Sequence, residues 1–533
     1  MNTKARGGAS IVFTLATALG VALLTARPGS SLTPPLVVEP VAALVRVSEV
    51  LRLDDLSDRS AGMAATFMML TACMAFLYAL WQAWRRVLPL RRILVLGVLL
   101  HVLAFAMPLF LSRDVYSYAI YGRMFSAYGA NPYLQVPADF SSDPIYPLVS
   151  SYWKTSPSAY GPAFTLLSAA ITSAFASPQA VVQAFKLLAA GAGLATLALT
   201  AVAASKLRPA RTGFAAALVA LNPVVVFHTV AGAHNDTLVG LSIVAAAVLL
   251  LRNKQLAATA VLTLGTLVKV VAAVPLILVV TASVAKRPSA ERITAAAHHA
   301  AVVALVALPL LLPFVQSDDP TLGVLQLSSR WLVGSEPGHV LVEFLEVLFR
   351  RILPWVLLAF VVGLLHHLVR MPQRADQSVL IGAMGWAALV TLVTAPRLWP
   401  WYAAWMLPLA WLLPRPGRAG AVLASVALAM RTLIAEPGLA FEFRELTIAR
   451  IYLALLVLLA VLARLLLELW QRLRHRTLVG GSEPLLAEQP ALAIAAVSWL
   501  TWLDRFVPDG RGYPPDDSQP PRRRRSPTRE CGP

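Results

Sequence analysis

The chain has 533 residues, of which 58% are hydrophobic and only 14% charged, with 45 Lys and Arg against 27 Asp and Glu. Soluble domains average about 45–50% apolar and about 25% charged residues, so this composition excludes an ordinary soluble enzyme. The formal charge of +18 is scattered in short clusters between apolar stretches rather than gathered in one patch, which argues against a nucleic-acid partner.

Apolar stretches of about 18 or more residues recur along the chain, each enough to cross a hydrocarbon core of about 30 Å. Strand-type alternation is absent, so the pattern predicts an all-α polytopic membrane protein. Lys4 and Arg6 precede an apolar run over 10–26, read as a retained anchor rather than a cleaved signal peptide because no clean small-x-small cleavage site follows. With the N-terminus inside, 61–84 returns to Arg85-Arg86 and 93–111 leads out to Ser112-Arg113-Asp114. The clusters Arg91-Arg92, Lys206 to Arg211, Lys286-Arg287, Arg415 to Arg418 and Arg472 to Arg476 mark cytoplasmic loops by the same charge rule.

The stretch 112–178 is long for a loop and rich in Tyr, Pro and Ser, which suggests an ordered, functional segment. Inside it, 161–176 is read as an interfacial or re-entrant helix, since a full span there would put the Lys206 cluster outside. Spans follow at 179–203, 212–231 and 237–251. Residues 256–284 are too long for one simple crossing and carry Lys269 mid-run, so two half-helices folded as a hairpin are expected. Further segments are expected at 294–315, 341–352 (amphipathic), 353–369, 378–395, 401–414, 419–433 and 447–471. The total is about thirteen or fourteen membrane or half-membrane helices, with no visible internal repeat. Four regions result: an anchor and external loop over 1–60, a core over 61–415 containing the loop 112–178, C-terminal helices over 416–475, and a basic, Pro-rich cytoplasmic tail over 476–533. Two cysteines, Cys73 and Cys531, imply no disulfide framework.

Chemically unusual residues gather at the expected outer span ends. Asp114 follows the third span, with Arg113, Tyr116, Tyr118, Tyr121 and Arg123 around it. In a helix beginning near Asp114, Tyr118 and Tyr121 share a face and Arg123 lies apart. Tyrosine faces suit sugar rings, covering C–H groups while hydroxyls bond at the edge. His234, Asn235 and Asp236 close the "AGAHND" turn, and Arg397, Trp399, Trp401 and Tyr402 fall in "APRLWPWY". Helix caps and interfacial aromatic belts are the plain alternatives for the last two groups. Lys269 either snorkels to the interface or meets an anionic lipid phosphate. His298-His299 and His366-His367 are adjacent pairs that do not converge on one helix face, and are read as interfacial rather than metal-binding.

The stretches "SRDVYSYAIYGRMFSAYGANPY", "WKTSPSAYGPAFTLLS", "LNPVVVFHTVAGAHNDTLVGL" and "APRLWPWYAAWMLPL" resemble, in order and spacing, the GT-C superfamily of membrane glycosyltransferases that use polyprenyl-phosphate sugars. Within it the chain is similar to the polyprenyl-phosphomannose-dependent α-1,6-mannosyltransferase-like family that elongates lipomannan and lipoarabinomannan cores. The likeness covers roughly 93–415. It implies a GT-C bundle with a long first extracytoplasmic catalytic loop, and a catalytic Asp at position 114. The His234–Asp236 turn resembles the superfamily's second external loop, where acidic or amide groups line the site, and Tyr160 is taken as a further substrate-binding candidate. The family's sizeable extracytoplasmic C-terminal domain has no counterpart in the short basic tail here, which weakens any inference about a polymeric or protein acceptor.

The resulting expectation is a plasma-membrane, multi-pass transferase with its active site on the extracytoplasmic face. It would move a sugar, mannose by resemblance, from a polyprenyl-phosphate donor to a glycolipid or glycan acceptor, with inversion. Asp114 would act as base, and Arg123, Lys269 or Arg397 would meet the departing phosphate. Nothing in the sequence calls for a metal or another cofactor. The alternative from a different class is a transporter or flippase of a lipid-linked sugar, for which mid-span charges and inverted repeats would speak.

Overall fold

The computed structural model describes residues 3–34, 41–315, 340–370, 377–395 and 398–435, and all regular structure among them is helical. Chain order gives α1 (Thr3–Ala26), α2 (Ala42–Val50), α3 (Asp58–Trp84), α4 (Leu90–Ala106), α5 (Asp114–Ser126), α6 (Ser151–Lys154), α7 (Pro162–Ala174) and α8 (Pro178–Leu207). Then come α9 (Thr212–Ala220), α10 (Asp236–Leu250), α11 (Gln255–Val268), α12 (Ala273–Ala285) and α13 (Arg292–Leu311). The last four are α14 (Val340–Arg370), α15 (Gln377–Thr394), α16 (Ala403–Ala410) and α17 (Arg415–Ala435). Among the described residues, six helical stretches are long and apolar enough to cross a membrane: those within α1, α3, α8, α14 and α15, and Ser289–Phe314, which contains α13. The chain is an all-α, polytopic membrane protein.

Local chemistry explains the boundaries. Ser57 and Ser177 cap α3 and α8, each side chain accepting from the N–H three residues on, and Pro178 fits the first turn of α8 where no N–H is needed. Residues 212–231, expected as one span, bend by 45° between α9 and a π-helical turn, Val224–Ala231. Pro223 cannot supply the N–H that would carry α9 onward. The Asn222 carbonyl oxygen of the side chain takes the Val224 N–H instead, while its amide donates to Ser425 Oγ. Residues 341–352 and 353–369, expected as two pieces, form one helix that runs through Pro354. Residues 447–471 and the tail over 476–533 lie outside the described residues.

Helix α7 has 13 residues and is shorter than a bilayer crossing; it packs on α5 and α11. The apolar run over 256–284 breaks at Lys269, whose backbone is extended between α11 and a short turn, Val270–Ala272. Helices α11 and α12 pack against each other beyond this break. The centre of the bundle is α9, α10 and α16, with α16 buried along its whole length. Helix α13 is the opposite case: His299 is its one buried residue. Five segment ends come together at one end of the bundle: the chain leaving α4, the start of α10, the end of α11, the start of α16 and the loop before α7.

Candidate active site

Two backbone turns aim the acidic groups. Leu111 and Ala233 both have positive φ (57° each), a region that side-chain-bearing residues avoid. Leu111 is held there by its N–H on the Leu32 carbonyl, three residues before Asp114. Ala233 sits directly before His234, with its N–H on the Val230 carbonyl and that of His234 on Thr229. Strain of this kind persists only where surroundings over-determine it, and it favours functional sites.

Asp114 opens α5, and its carboxylate keeps 19% exposure. Trp153 Nε1 donates to Oδ1 at 3.3 Å, and the Asp114 N–H donates to Ser112 Oγ. The His234 ring lies 3.7 Å from Oδ2, and Tyr118 Oη is 3.3 Å from the same His234 Nδ1. Burial, followed by the Lys269 charge, keeps the His234 imidazole well below its usual range, so it is neutral and no ion pair with Asp114 forms. Burial also pushes the Asp114 carboxyl up to about 6, against the opposing pull of Lys269 and the Trp153 hydrogen bond. Tyr118 and Tyr160 are raised by burial and by the nearby carboxylates, which keeps both phenols protonated.

Beside this carboxylate lies a fully enclosed pair. Lys269 Nζ donates to Asp236 Oδ1 at 2.8 Å, and Trp405 Nε1 donates to the same oxygen at 2.6 Å. The ammonium sits 4.6 Å from the Tyr402 ring centroid and 5.3 Å from that of Trp405, so aromatic faces line its apolar sides. The second oxygen of Asp236, both amide atoms of Asn235 and Nε2 of His234 have no hydrogen-bond partner among the described residues. Buried polar atoms are rarely left this way, and four of them in three consecutive residues mark a place built for something more. Trp401 stacks on His234 at 3.6 Å and Trp399 stacks on Trp401 at 5.1 Å.

Residues proposed from sequence therefore divide. Asp114, Tyr118, His234, Asn235, Asp236, Lys269, Trp401 and Tyr402 form one connected group, with Tyr160 edge-on to Tyr118 at 4.9 Å. Tyr121 is buried and spends its hydroxyl on the carbonyls of Ser156 and Pro157, fixing the loop. Tyr116 is buried and Arg113 exposed. Arg123, nine residues beyond Asp114 and so about 13 Å along the helix, pairs with Asp143 at 2.7 Å instead. Arg397 lies outside the described residues. Trp153 and Trp405 complete the group without having stood out in the sequence. Trp405 falls three and four positions after Tyr402 and Trp401, a helical spacing that was the available signal.

The loop is locked to the lysine by one close approach. The Gly161 N–H donates to the Val268 carbonyl at 3.0 Å, and a β-carbon at 161 would lie 2.1 Å from the Leu267 oxygen. No side chain larger than hydrogen fits there. Among the described residues, no cluster of three or more His, Cys, Asp and Glu side chains could hold a metal ion.

One end of this membrane bundle thus gathers a carboxylate, a buried lysine, an Asn-Asp turn and stacked aromatic faces. Residues 29–285 match the family described as alpha-(1->6)-mannopyranosyltransferase, N-terminal domain, just under half of the chain. Asp114, Trp153, Tyr160, His234, Asn235, Asp236 and Lys269 all fall within the matched region. The chain is 30% identical to alpha-(1->6)-mannopyranosyltransferase A of Corynebacterium glutamicum over 33% of its own length and 36% of the relative's. It is 25% identical to the protein of the same description from Mycobacterium tuberculosis over 63% of its length and 68% of the relative's. The chain thus spans about a third of the first relative and about two thirds of the second. No solved structure matches it.

Proposed function

We propose that the chain is an inverting α-mannosyltransferase that uses a polyprenyl-phosphomannose donor and works at the extracytoplasmic face of the plasma membrane. The acceptor is a hydroxyl of a glycolipid or glycan. Asp114 takes the proton of that hydroxyl as its oxygen attacks the anomeric carbon. The C1–O bond to phosphate breaks, its electron pair leaves with the polyprenyl phosphate, and a β-linked donor gives an α-linked product. A carboxyl poised at about 6 is ionised at neutral pH yet basic enough to accept a proton in the transition state. Lys269 meets the negative charge that builds on the departing phosphate, as do the unpaired donors of Asn235. Trp401, stacked on His234, and the buried tyrosines of α5 form the packed wall behind these groups.

The reading is carried by one observation: the partly exposed carboxylate of Asp114 lies 3.7 Å from His234, two residues before the Asp236 that holds the buried lysine. Membranes carrying the wild type or Asp114→Asn, supplied with labelled polyprenyl-phosphomannose, test it. Label should enter the glycolipid fraction only with the wild type. Undiminished transfer by the variant would sink the assignment of the base, and transfer from a nucleotide sugar alone would sink the donor.

A further inference from the structure

At the end of α11 opposite Lys269, a cavity of about 350 Å³ opens between the start of α11, the end of α12 and the start of α13. Ser283, Arg287, Thr294, His298 and His299 line it, with the Glu291 carboxylate at its edge beside Arg287. The transfer chemistry uses none of them, since the 14-residue helix α11 puts about 20 Å between the two ends.

Its floor holds two buried polar groups with unused capacity. Ser283 is 4% exposed, and its hydroxyl makes no hydrogen bond among the described residues. A helical serine ordinarily bonds back to the carbonyl three or four residues earlier, as Thr263 and Thr266 do in the neighbouring helix. His299, also 4% exposed, engages Thr259 through Nδ1 at 2.8 Å, and its other ring nitrogen has no partner among the described residues. Above them, Arg287 is only loosely engaged, 3.9 Å from Glu291 and half exposed. The chemistry suits an anion, with hydroxyl, imidazole and guanidinium donors converging.

The wall beside the cavity decides which anion. Helix α13 is almost bare, with Ile293 83%, Leu305 76% and Leu308 55% exposed along its length. An exposed apolar helix beside a pocket that carries a guanidinium fits a phosphate that carries acyl chains.

We propose that this cavity binds the headgroup phosphate of an anionic phospholipid, held by Arg287, Ser283 and His299, with its acyl chains against α13. The site is independent of the transfer reaction and does not rest on it.

The test uses the full-length chain in phosphatidylcholine nanodiscs, with phosphatidylglycerol titrated in and the melting temperature followed. The wild type should show a saturable rise. Arg287→Gln should raise the half-saturating lipid fraction about tenfold, the loss of one charge-assisted contact. Ser283→Ala, a substitution too small to disturb folding, should raise it several-fold. Arg252→Gln, a basic change outside the cavity, should leave the curve unmoved. Wild-type curves from both cavity variants would overturn the proposal, as would an equal weakening by Arg252→Gln. The same stabilisation by inorganic phosphate alone would overturn the lipid as occupant.

Discussion

Two carboxylates in this molecule are each held by a cation at nearly the same distance, yet they serve different ends. Asp143 receives Arg123 at 2.7 Å, the Tyr128 hydroxyl at 2.9 Å and the Ile145 N–H at 2.8 Å, so both its oxygens are engaged. Asp236 receives Lys269 and Trp405 on one oxygen and has no partner among the described residues on the other. A saturated pair holds a loop in place. An unsaturated pair in a buried setting keeps a charge available, and the cost of burying it is met by what binds. Distance alone does not distinguish architecture from function here; the count of satisfied lone pairs does.

That contrast can be broken by substitution. The largest effect is expected outside both pairs, at the proposed base: Asp114→Asn should lower mannosyl transfer by about 10³-fold with the fold intact, read by labelled product per folded molecule. Next, Lys269→Met should lower turnover by about 10²-fold. It should also move the acid limb of the rate profile upward, because Lys269 now holds the Asp114 carboxyl down. Trp153→Phe removes a hydrogen bond that also favours the ionised carboxyl. Since Asp114 is active when ionised and titrates at about 6, raising it costs activity near pH 6 and little at pH 8. A pH profile unchanged from the wild type would refute that coupling. The smallest catalytic effect belongs to the saturated pair. Asp143→Ala should destabilise the fold by about 2 kcal/mol in a detergent melt while leaving turnover per folded molecule near normal.

Much of this end of the bundle was legible in the sequence because polar residues are conspicuous in an apolar chain. Asp114, the His-Asn-Asp turn, Lys269 and the Trp/Tyr cluster stand out for that reason, and the break at Lys269 follows from a run too long for one crossing. Partnerships were not legible. Nothing local says that Lys269 turns to Asp236, 33 positions earlier, or that Arg123 turns away to Asp143. Trp153 and Trp405 were hidden by a different ambiguity, since an interfacial tryptophan reads as a belt residue whether or not its N–H is used. The bend before Val224 and the unbroken helix through Pro354 show why: a proline's outcome depends on which neighbours can take up the freed backbone groups. His234 illustrates the same limit, as its neutrality depends on burial and on Lys269.

Position 161 sets a tolerance for the whole device. The tryptophan on Asp114 and the lysine on Asp236 come from stretches far apart in the chain, and the missing β-carbon of Gly161 sets how closely the loop meets the end of α11. Any side chain there pushes the loop off the end of α11 and displaces both halves together. The chemistry would then fail with every reacting group still present, an alignment fault with no residue of the mechanism to blame.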